Sequence, residues 1–431
     1  MLTNKKKKSI VVLVELMSGS IDWILPVCKY LKDHHSETDI SFVLLRFGEN
    51  DIFNENLFLK KIVEELTCKR CYDLTCFLPY FYGMVKSFFP SKIFGTKPAR
   101  IMEKIFWCAF GKRRVRRWLY KHHPDVLLKD GSFKPFSPIF DVFFQAARKI
   151  GCKVVVFPMA PSFTFAPDMW IEKKSIDIIR RGDREDYFMV NNDWDADHFR
   201  AGGIRTVIVG TPKFDSDWME YLKSKCDGSG DDFKNPGKKI LLLLKNEFST
   251  IFNYINFKDT LKDILAAVIE ATDYSIVIKP HPRQDLGLLN DVISQYAGYR
   301  INISHQPIFK LANEAKCVIA MPTGAILDVL FTGRVVVEYF NYRRLNSELM
   351  KRYGEIPRNS LGGMSFLDGN GCLTSVFRGK GMVIPADNPE ELKVAINQME
   401  KEESKKYFLK TRDIFFKRDA NKKAAEFILS L

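Results

Sequence analysis

Long hydrophobic runs are missing from this chain of 431 residues. No stretch reaches the roughly 18 uninterrupted apolar residues that a transmembrane helix needs, so the sequence excludes a membrane-spanning class. Cations at 5–8 precede an apolar run at 10–17, which is an arrangement seen in signal peptides. Because Glu15 interrupts that run and no clean small-residue cleavage site follows, we expect a first β-strand there.

Cysteine is present but without any pairing pattern. The nine cysteines are odd in number and irregularly spaced, which disfavours a disulfide framework and favours a reducing, cytoplasmic environment. Cys68, Cys71 and Cys76 form one cluster, but no second cysteine pair or histidine couple follows at zinc spacing. We therefore expect buried thiols in this cluster rather than a metal site.

Acidic residues are outnumbered, with 52 Asp and Glu against 66 Lys and Arg, giving a formal charge of +14. This excess predicts an anionic partner: nucleic acid, a phosphorylated small molecule or acidic lipid. No recognisable nucleic-acid-binding motif accompanies it, so we expect no nucleic acid partner. Hydrophobic residues make up 46% and charged residues 27%, a balance typical of globular proteins, and the length predicts two domains.

Short apolar runs alternate with longer amphipathic segments, a pattern typical of βα units around a parallel sheet. In the first half, strands are predicted at 9–17, 40–46, 124–129, 152–157, 186–191 and 205–210, with helices at 21–33, 53–67, 137–150 and 193–201. In the second half, strands are predicted at 238–246, 274–279, 299–304, 317–321 and 335–340, with a helix near 257–272. Runs that are apolar on both faces predict central strands covered by helices.

A Gly, Asp, Asn and Pro cluster at 226–237 predicts an interdomain linker. The predicted fold class is therefore α/β, with two consecutive doubly wound parallel-sheet domains. We expect an N-terminal domain at 1–225 and a C-terminal domain at 238–400. A helical segment at 401–431 is expected to pack back on the N-terminal domain.

Residues 76–120 combine many aromatic and apolar side chains with clustered Lys and Arg. One interpretation is a surface that docks on an anionic membrane, with rings in the interface and cations on lipid phosphates. The other is a core helix with one solvated basic face. The sequence leaves both open.

Ligands of open parallel sheets bind beyond the carboxyl ends of the strands, and the stretch SIVIKPHPRQD ends such a strand. Pro280 and Pro282 fix φ and remove N–H groups, so the turn that carries His281 is stiff. Lys279 and Arg283 flank it with positive charge. This arrangement predicts a site for a phosphate oxygen.

A second strand end, near Met321, leads into a helix at Thr323 and Gly324. Free N–H groups at a helix start favour an anion, although simple N-capping by Thr323 is by itself the more common case. Asp328, one turn further, either reaches a ribose hydroxyl or is solvated.

Two further places follow predicted strands. Gly210 and Thr211, which are candidate nucleotide-binding residues, begin the turn GTPKFD at the end of the first domain, where glycine permits close backbone approach. Lys245 follows the first strand of the second domain and either pairs with a phosphate or is solvated. The acidic run at 193–197 imitates a D-x-D metal motif, but acids favour a helix start, and we predict no metal there.

The motifs GTPKFD, KPHPR and PTGAILDVLFTGRVVVEY, in this order, resemble those of GT-B fold bacterial surface-carbohydrate and capsule biosynthesis transferases. These are related to CDP-glycerol glycerophosphotransferases and to CMP-Kdo and CMP-sialic acid transferases. The resemblance covers about residues 205–340 well and the first domain in outline. It implies a GT-B architecture of two Rossmann-like domains that face a cleft, with the nucleotide sugar held mostly by the C-terminal one. It also implies that His281 and Thr323 contact the donor phosphate. Gly324 departs from the family pattern, which usually has a second hydroxyl residue there.

The resemblance also suggests which residue is the general base that deprotonates the acceptor hydroxyl. Several related transferases carry an acidic pair before a glycine, where this chain has Lys129, Asp130 and Gly131, so Asp130 is the candidate base. A CMP- or CDP-linked donor of a sugar, or alternatively of a polyol phosphate, is implied, with a glycan or lipid-linked glycan acceptor. No metal or other cofactor is expected, and the protein would act in the cytoplasm, with attachment to the inner face of the membrane left open.

Two other functions are consistent with the sequence. One is a non-hydrolysing UDP-sugar epimerase, which shares the two-domain architecture. The other is a non-catalytic basic protein that binds a membrane or nucleic acid.

Overall fold

The structure is a computed structural model. It describes residues 8–14, 21–45, 57–67, 71–78, 105–130, 138–157, 185–201, 203–226, 238–282, 284–356, 365–399 and 419–431. These residues divide into two compact units, one formed by those within Met1–Met159, Lys173–Asp215 and Arg418–Leu431, and the other by those within Ser216–Lys417. Most of the predicted linker at 226–237 lies outside the described residues.

The first unit is built on a seven-stranded sheet in the order β3-β2-β1-β4-β5-β6-β7, and every strand pair is parallel. Its strands are β1 (Ser9–Val14), β2 (Asp39–Leu44), β3 (Cys71–Asp73), β4 (Val126–Asp130), β5 (Lys153–Phe157), β6 (Tyr187–Val190) and β7 (Thr206–Ile208). Residues 10–14 of β1 are all buried, because the central strands of a parallel sheet are covered on both faces.

The second unit has a six-stranded sheet in the order β10-β9-β8-β11-β12-β15, again with parallel pairs only. Its strands are β8 (Lys239–Leu243), β9 (Ser275–Lys279), β10 (Ile301–Ile303), β11 (Cys317–Ala320), β12 (Val336–Tyr339) and β15 (Ile384–Ala386). An antiparallel hairpin of β13 (Ser365–Leu367) and β14 (Leu373–Ser375) comes between β12 and β15 in the sequence. The strand order reverses between β8 and β11, which is the point where doubly wound sheets bind ligands.

The described α-helices lie between and after these strands. They are α1 (Asp22–His34), α2 (Leu57–Thr67), α3 (Lys112–His122), α4 (Pro138–Lys149), α5 (Asp193–Ala201), α6 (Ser216–Cys226), α7 (Phe257–Ala271), α8 (Leu286–Ile293), α9 (Ile308–Glu314), α10 (Ala325–Phe331), α11 (Tyr342–Tyr353), α12 (Val376–Gly379), α13 (Pro389–Gln398) and α14 (Ala420–Ser430). Within the described ranges, no helix combines the length and the apolar content needed to cross a membrane.

Helix α7 shows how sequence and packing agree in the second unit. Asn256 caps its start, where the side-chain oxygen accepts hydrogen bonds from the backbone N–H groups of Lys258 and Asp259. Its apolar stripe, which includes Leu261 and Leu265, is fully buried in the core of the sheet. The opposite side is polar, as expected for a helix that covers a sheet.

The C-terminal helix α14 lies in the first unit, where it packs against α1. The backbone N–H of Asn421 donates to Oδ2 of Asp215 at 2.8 Å, and both residues are buried. This hydrogen bond ties the helix start to the turn after β7. Residues 401–418 of the predicted helical segment lie outside the description.

The α/β fold class with two parallel-sheet domains is confirmed. The sequence prediction did not include β3, β15 or the β13–β14 hairpin, which are all strands of three residues. The expectation of buried thiols in the cysteine cluster is wrong for Cys76, which is exposed. The short turn Leu74–Phe77 buries Leu74 and Phe77 instead. Cys68 and the side chain of Cys71 lie outside the described residues.

Candidate functional site

The carboxyl ends of four strands in the second sheet lie in one row. The register aligns Lys279 of β9 with Leu243 of β8, Leu243 with Ala320 of β11, and Ala320 with Glu338 of β12. The segments beyond these strands therefore emerge from the same edge of the sheet. Neighbouring strands are about 4.8 Å apart, so the predicted residues after β9, β8 and β11 share one small region.

His281 lies in the turn just beyond β9. Pro280 is buried, and the carbonyl of His281 accepts a hydrogen bond from the N–H of Gln284 at 2.9 Å. The His281 side chain is half-buried. A proline before it and a closed turn after it restrict the backbone, as the sequence predicted. Arg283 lies outside the described residues.

Glu247, in the loop after β8, bridges to this turn and was not predicted. Its Oε1 accepts from the N–H of Asp285 at 2.8 Å, and its Oε2 accepts from the side-chain amide of the buried Gln284. Asp285 in turn caps α8 through the N–H groups of Gly287 and Leu288. The His281 turn is thus attached on both sides, to the β8 loop and to α8. A lone acid after Asn246 gives no sequence signal for such a bridge.

Lys279, at the end of β9, contacts the loop that follows β10. Its ammonium donates to the carbonyl of His305 at 2.8 Å, in the loop that follows β10, on the side of β9 opposite β8. Burial lowers the pKa of Lys279 to about 8. The charge of this lysine is therefore sensitive to pH near neutrality.

Thr323 and Gly324 lie where β11 leads into α10. Thr323 is buried, and its carbonyl accepts from the N–H of Ile326 at 3.2 Å. Among the described residues its hydroxyl forms no hydrogen bond, so the simple N-cap interpretation is not observed there. Gly324 occupies the N-cap position with helical dihedral angles, and Asp328 is half-buried in the first turn.

Lys245 follows β8, between the His281 turn and the start of α10. It is half-buried. Its positive charge contributes to the pKa of Glu338 on β12, so the two side chains interact across the switch point. This lysine is therefore at the carboxyl edge, as predicted.

Glu338 anchors a buried ionic cluster beside the edge. It is fully buried, accepts from the Ser375 hydroxyl at 2.6 Å and lies 3.5 Å from the guanidinium of Arg378. Arg378 also pairs with Asp387 and stacks 4.7 Å from the ring centroid of Tyr342. Burial raises the pKa of Glu338, while Arg378, Ser375 and Lys245 act against that shift.

The guanidinium of Arg378 also supports the backbone. One terminal nitrogen lies 2.9 Å from the carbonyl of Glu338, 3.1 Å from that of Phe340 and 2.9 Å from that of Ala386. Arg378 therefore joins the carboxyl ends of β12 and β15. The signal for this cluster was an acid inside the apolar run VVVEYF, because a buried carboxylate requires a buried partner.

Asp130, the candidate base, ends β4 in the first unit, where its backbone pairs with Phe157. Its side chain lies outside the description, as does Gly131. The preceding Lys129 is buried, with its ammonium 3.6 Å from Glu185 and 5.7 Å from the ring centroid of Phe144. Lys129 therefore has a structural ion pair at this strand end.

The turn GTPKFD lies after β7 in the first unit and is firmly packed. Gly210 has φ of 91°, in the region that glycine adopts readily. Thr211 is buried, and its hydroxyl has no hydrogen-bond partner in the described part of the chain. Lys213 pairs with Asp22 at the start of α1 at 2.8 Å. Several of these residues thus connect β7 to α1 and α14.

The acidic run at 193–197 forms the start of α5, as the sequence predicted. Asp197 pairs with Arg200 at 3.5 Å along the helix, and the side chain of Asp195 lies outside the description. Among the described residues, no group of three His, Cys, Asp or Glu side chains is placed to hold a metal ion.

Comparison with known proteins gives a result at the level of the fold. No family model and no curated protein matches the chain. Among solved structures, a putative UDP-N-acetylglucosamine 2-epimerase from Listeria monocytogenes matches with a TM-score of 0.58 at 11% identity, covering 98% of this chain and 95% of that one. The chain has the GT-B fold.

Two further solved structures of this fold are similar over nearly their whole length. The UDP-GlcNAc 2-epimerase of Methanocaldococcus jannaschii, bound to UDP-GlcNAc and UDP, has a TM-score of 0.56 at 13% identity, with 98% and 100% coverage. A Siraitia grosvenorii UGT transferase bound to UDP has a TM-score of 0.54 at 12% identity, with 98% and 99% coverage. Epimerases and transferases are therefore both among the structures that share this fold, and the CDP-glycerol and CMP-Kdo subgroup finds no support from them.

Proposed function

We propose that this protein is a GT-B glycosyltransferase that moves a sugar from a nucleotide donor to a hydroxyl of a glycan or lipid-linked glycan. The observation that carries the proposal is the strand register of the second sheet. It aligns the ends of β9, β8 and β11, which lead to His281, Lys245 and Thr323. Two of these strands, β8 and β11, border the point where the strand order reverses.

These three residues offer chemistry that suits a leaving phosphate. Departure of the nucleotide develops negative charge on phosphate oxygens, and prepositioned donors stabilise that charge. Lys245 would supply a cation, His281 an imidazole on a restricted turn, and Thr323 a hydroxyl without another partner among the described residues. Backbone N–H groups near Gly324 would add further donors, and Asp328 would reach the ribose. No metal is required in this scheme.

A pyrimidine nucleotide is the proposed donor. The motif resemblance favours a CMP- or CDP-linked donor, of a sugar or alternatively of a polyol phosphate, while similar solved structures contain UDP. A thermal-shift series with CMP, CDP, UDP, GDP and ADP tests the choice of nucleotide. A ligand that binds only the native state stabilises it by about 2.7 kcal/mol at a ligand concentration of 100 times Kd, and this stabilisation raises Tm. A response to one base identifies the donor class.

Asp130 is the proposed general base for the acceptor hydroxyl. Its position at the carboxyl end of β4, next to the central β1, is where a parallel sheet presents catalytic groups. Asp130→Asn should lower the rate of transfer by about 10²–10⁴-fold and leave the nucleotide-induced Tm shift unchanged. Loss of the nucleotide shift in this variant would speak against a role confined to the acceptor.

His281→Ala tests the donor site. We expect it to abolish donor use and the nucleotide-induced Tm shift while the protein still folds. His305→Ala is the matched control, because His305 is exposed and contributes its backbone carbonyl, which the variant keeps, to Lys279. Full transfer activity in His281→Ala would overturn the assignment of the site.

A second candidate function is a non-hydrolysing UDP-sugar epimerase. It is favoured by the solved epimerases that match 98% of this chain. Product analysis separates the two, because an epimerase converts the nucleotide sugar without an acceptor, whereas a transferase needs one. A non-catalytic basic protein would show neither product, and His281→Ala would leave its binding unchanged.

A further inference from the structure

The helical segment 105–122 in the first unit has one face in the core and another in solvent. Trp107, Gly111, Val115 and Leu119 recur every four residues and are buried. Helix α3 packs against α4, and Trp118 contributes to the same core. Burial of this face in the core accounts for the helical conformation of the segment, but not for the composition of the opposite face.

The exposed face carries large apolar side chains together with cations. Ile105 is 55% exposed, Phe110 42% and Tyr120 43%. Between them lie exposed arginines, of which Arg113, Arg116 and Arg117 form no ion pair with any described residue. Residues 105–122 contain six Lys and Arg and no acid. A core helix with a merely solvated basic face would not expose apolar side chains of this size among its arginines.

We propose that this face binds an anionic lipid surface. Arginines at its C-terminal half match lipid phosphates in charge, while Ile105 and Phe110 at its N-terminal half would enter the interface between headgroups and acyl chains. The cations distributed along the helix oppose deeper insertion. The helix would therefore lie in the plane of the surface.

The apolar part of the face favours lipid over nucleic acid. Nucleic acid is bound by cations that neutralise phosphates and by aromatic rings that stack on bases. Neither interaction uses an exposed aliphatic side chain such as Ile105. A lipid surface can bind the arginines through its phosphates and the apolar side chains through its acyl chains at the same time. The inference goes beyond the proposed transfer reaction and does not depend on it.

The test is sedimentation of the full-length protein with phosphatidylcholine vesicles that contain or lack phosphatidylglycerol. We expect binding only to the anionic vesicles, and weaker binding at about 1 M than at about 0.1 M salt, because the Debye length shortens from about 10 Å to about 3 Å. The triple variant Arg113→Gln, Arg116→Gln and Arg117→Gln should bind about a hundredfold more weakly, since each cation near an anionic surface strengthens binding roughly fivefold.

Two matched variants separate this surface from net charge. The triple variant Lys258→Gln, Arg300→Gln and Lys351→Gln removes the same charge from exposed positions of the second unit and should bind like the wild type. Conservative Arg→Lys changes at the three α3 positions should also retain binding, and this control excludes misfolding as the cause of a loss.

The apolar contribution is tested by Ile105→Ser with Phe110→Ser, which should weaken vesicle binding by roughly tenfold. Absence of binding to anionic vesicles, or binding that neither set of variants changes, would overturn the proposal. So would RNA binding that requires the arginines together with vesicle binding that ignores Ile105 and Phe110, because the face would then serve nucleic acid.

Discussion

Replacing Arg378 with methionine tests the buried ionic cluster at the end of the second sheet. The substitution keeps most of the side-chain volume. It removes the guanidinium that pairs with the fully buried Glu338 and one of the two arginines that pair with Asp387. It also removes the donor to the backbone carbonyls of Phe340 and Ala386. We expect the second unit to unfold at a clearly lower temperature.

The expected loss of stability follows from the carboxylate of Glu338 that Arg378→Met leaves unpaired. Removing one partner of a buried ion pair costs about 3–5 kcal/mol, because the remaining charge stays desolvated. For a unit of the size of Ser216–Lys417, each kcal/mol corresponds to roughly 2–4 °C in Tm. Arg378→Met should therefore lower the Tm of this unit by about 6–20 °C.

The effect should depend on pH, and its sign is set by Glu338. Burial raises the pKa of Glu338, and Arg378 opposes the shift, so the pKa rises further in the variant. A carboxyl whose pKa is higher in the folded than in the unfolded state binds its proton more tightly when folded. Stability then falls as pH rises above the unfolded value of about 4.3. The penalty of Arg378→Met should be smaller at pH near 5 than at pH near 8, and adding Glu338→Gln should remove most of that difference.

The measurement is hydrogen exchange of peptides covering β12 and β15 during a thermal melt, because this readout belongs to the second sheet. Arg343→Met is the matched control. Arg343 pairs with Asp387 at 3.3 Å and with Glu391 at 2.8 Å, but its side chain is 71% exposed, so its loss should cost at most about 1 kcal/mol. A Tm for Arg378→Met within about 2 °C of the Arg343→Met value would refute the reasoning.

Three further predictions concern other contacts. Glu247→Ala removes two hydrogen bonds to the His281 turn. It should weaken nucleotide binding several-fold, measured by titration against the exposed-site control Asp291→Ala, at a stability cost of about 1–3 kcal/mol. Burial lowers the pKa of Lys279 to about 8. A contribution of its ammonium to the donor site predicts that nucleotide affinity falls between pH 7 and 9 and that Lys279→Arg abolishes this fall. An identical pH profile in both proteins would exclude the contribution. Lys213→Met breaks a largely buried ion pair in the first unit and should lower the Tm of that unit while the nucleotide-induced shift persists.

The strands of both sheets were predictable where the apolar run was long. β8 and β11 lie inside the runs at 238–246 and 317–321, because a central parallel strand is buried on both faces. β3 has three residues and no such run, and its position beside β2 depends on pairing with a strand remote in sequence. Short edge strands are chosen by the neighbouring strand rather than by their own composition.

The candidate site was predictable in its strand ends but not in its contacts. The two prolines around His281 restrict the backbone locally, so the sequence alone indicated a stiff turn. The predicted use of Lys279 beside it depended on the direction of a long side chain, and the structure directs that side chain to the carbonyl of His305. Sequence spacing carries no information about such a choice.

By itself, the sequence determined the alternation of buried strands and amphipathic helices, the excess of positive charge and the position of His281 at a strand end. These are local properties, because each depends on neighbouring residues in the chain. Only the tertiary structure decided which strand ends align, and that Glu338, Arg378 and Asp387 form one buried cluster. A buried charge must find its partner wherever the fold brings one, and here the partner of Glu338 is 40 residues further along the chain.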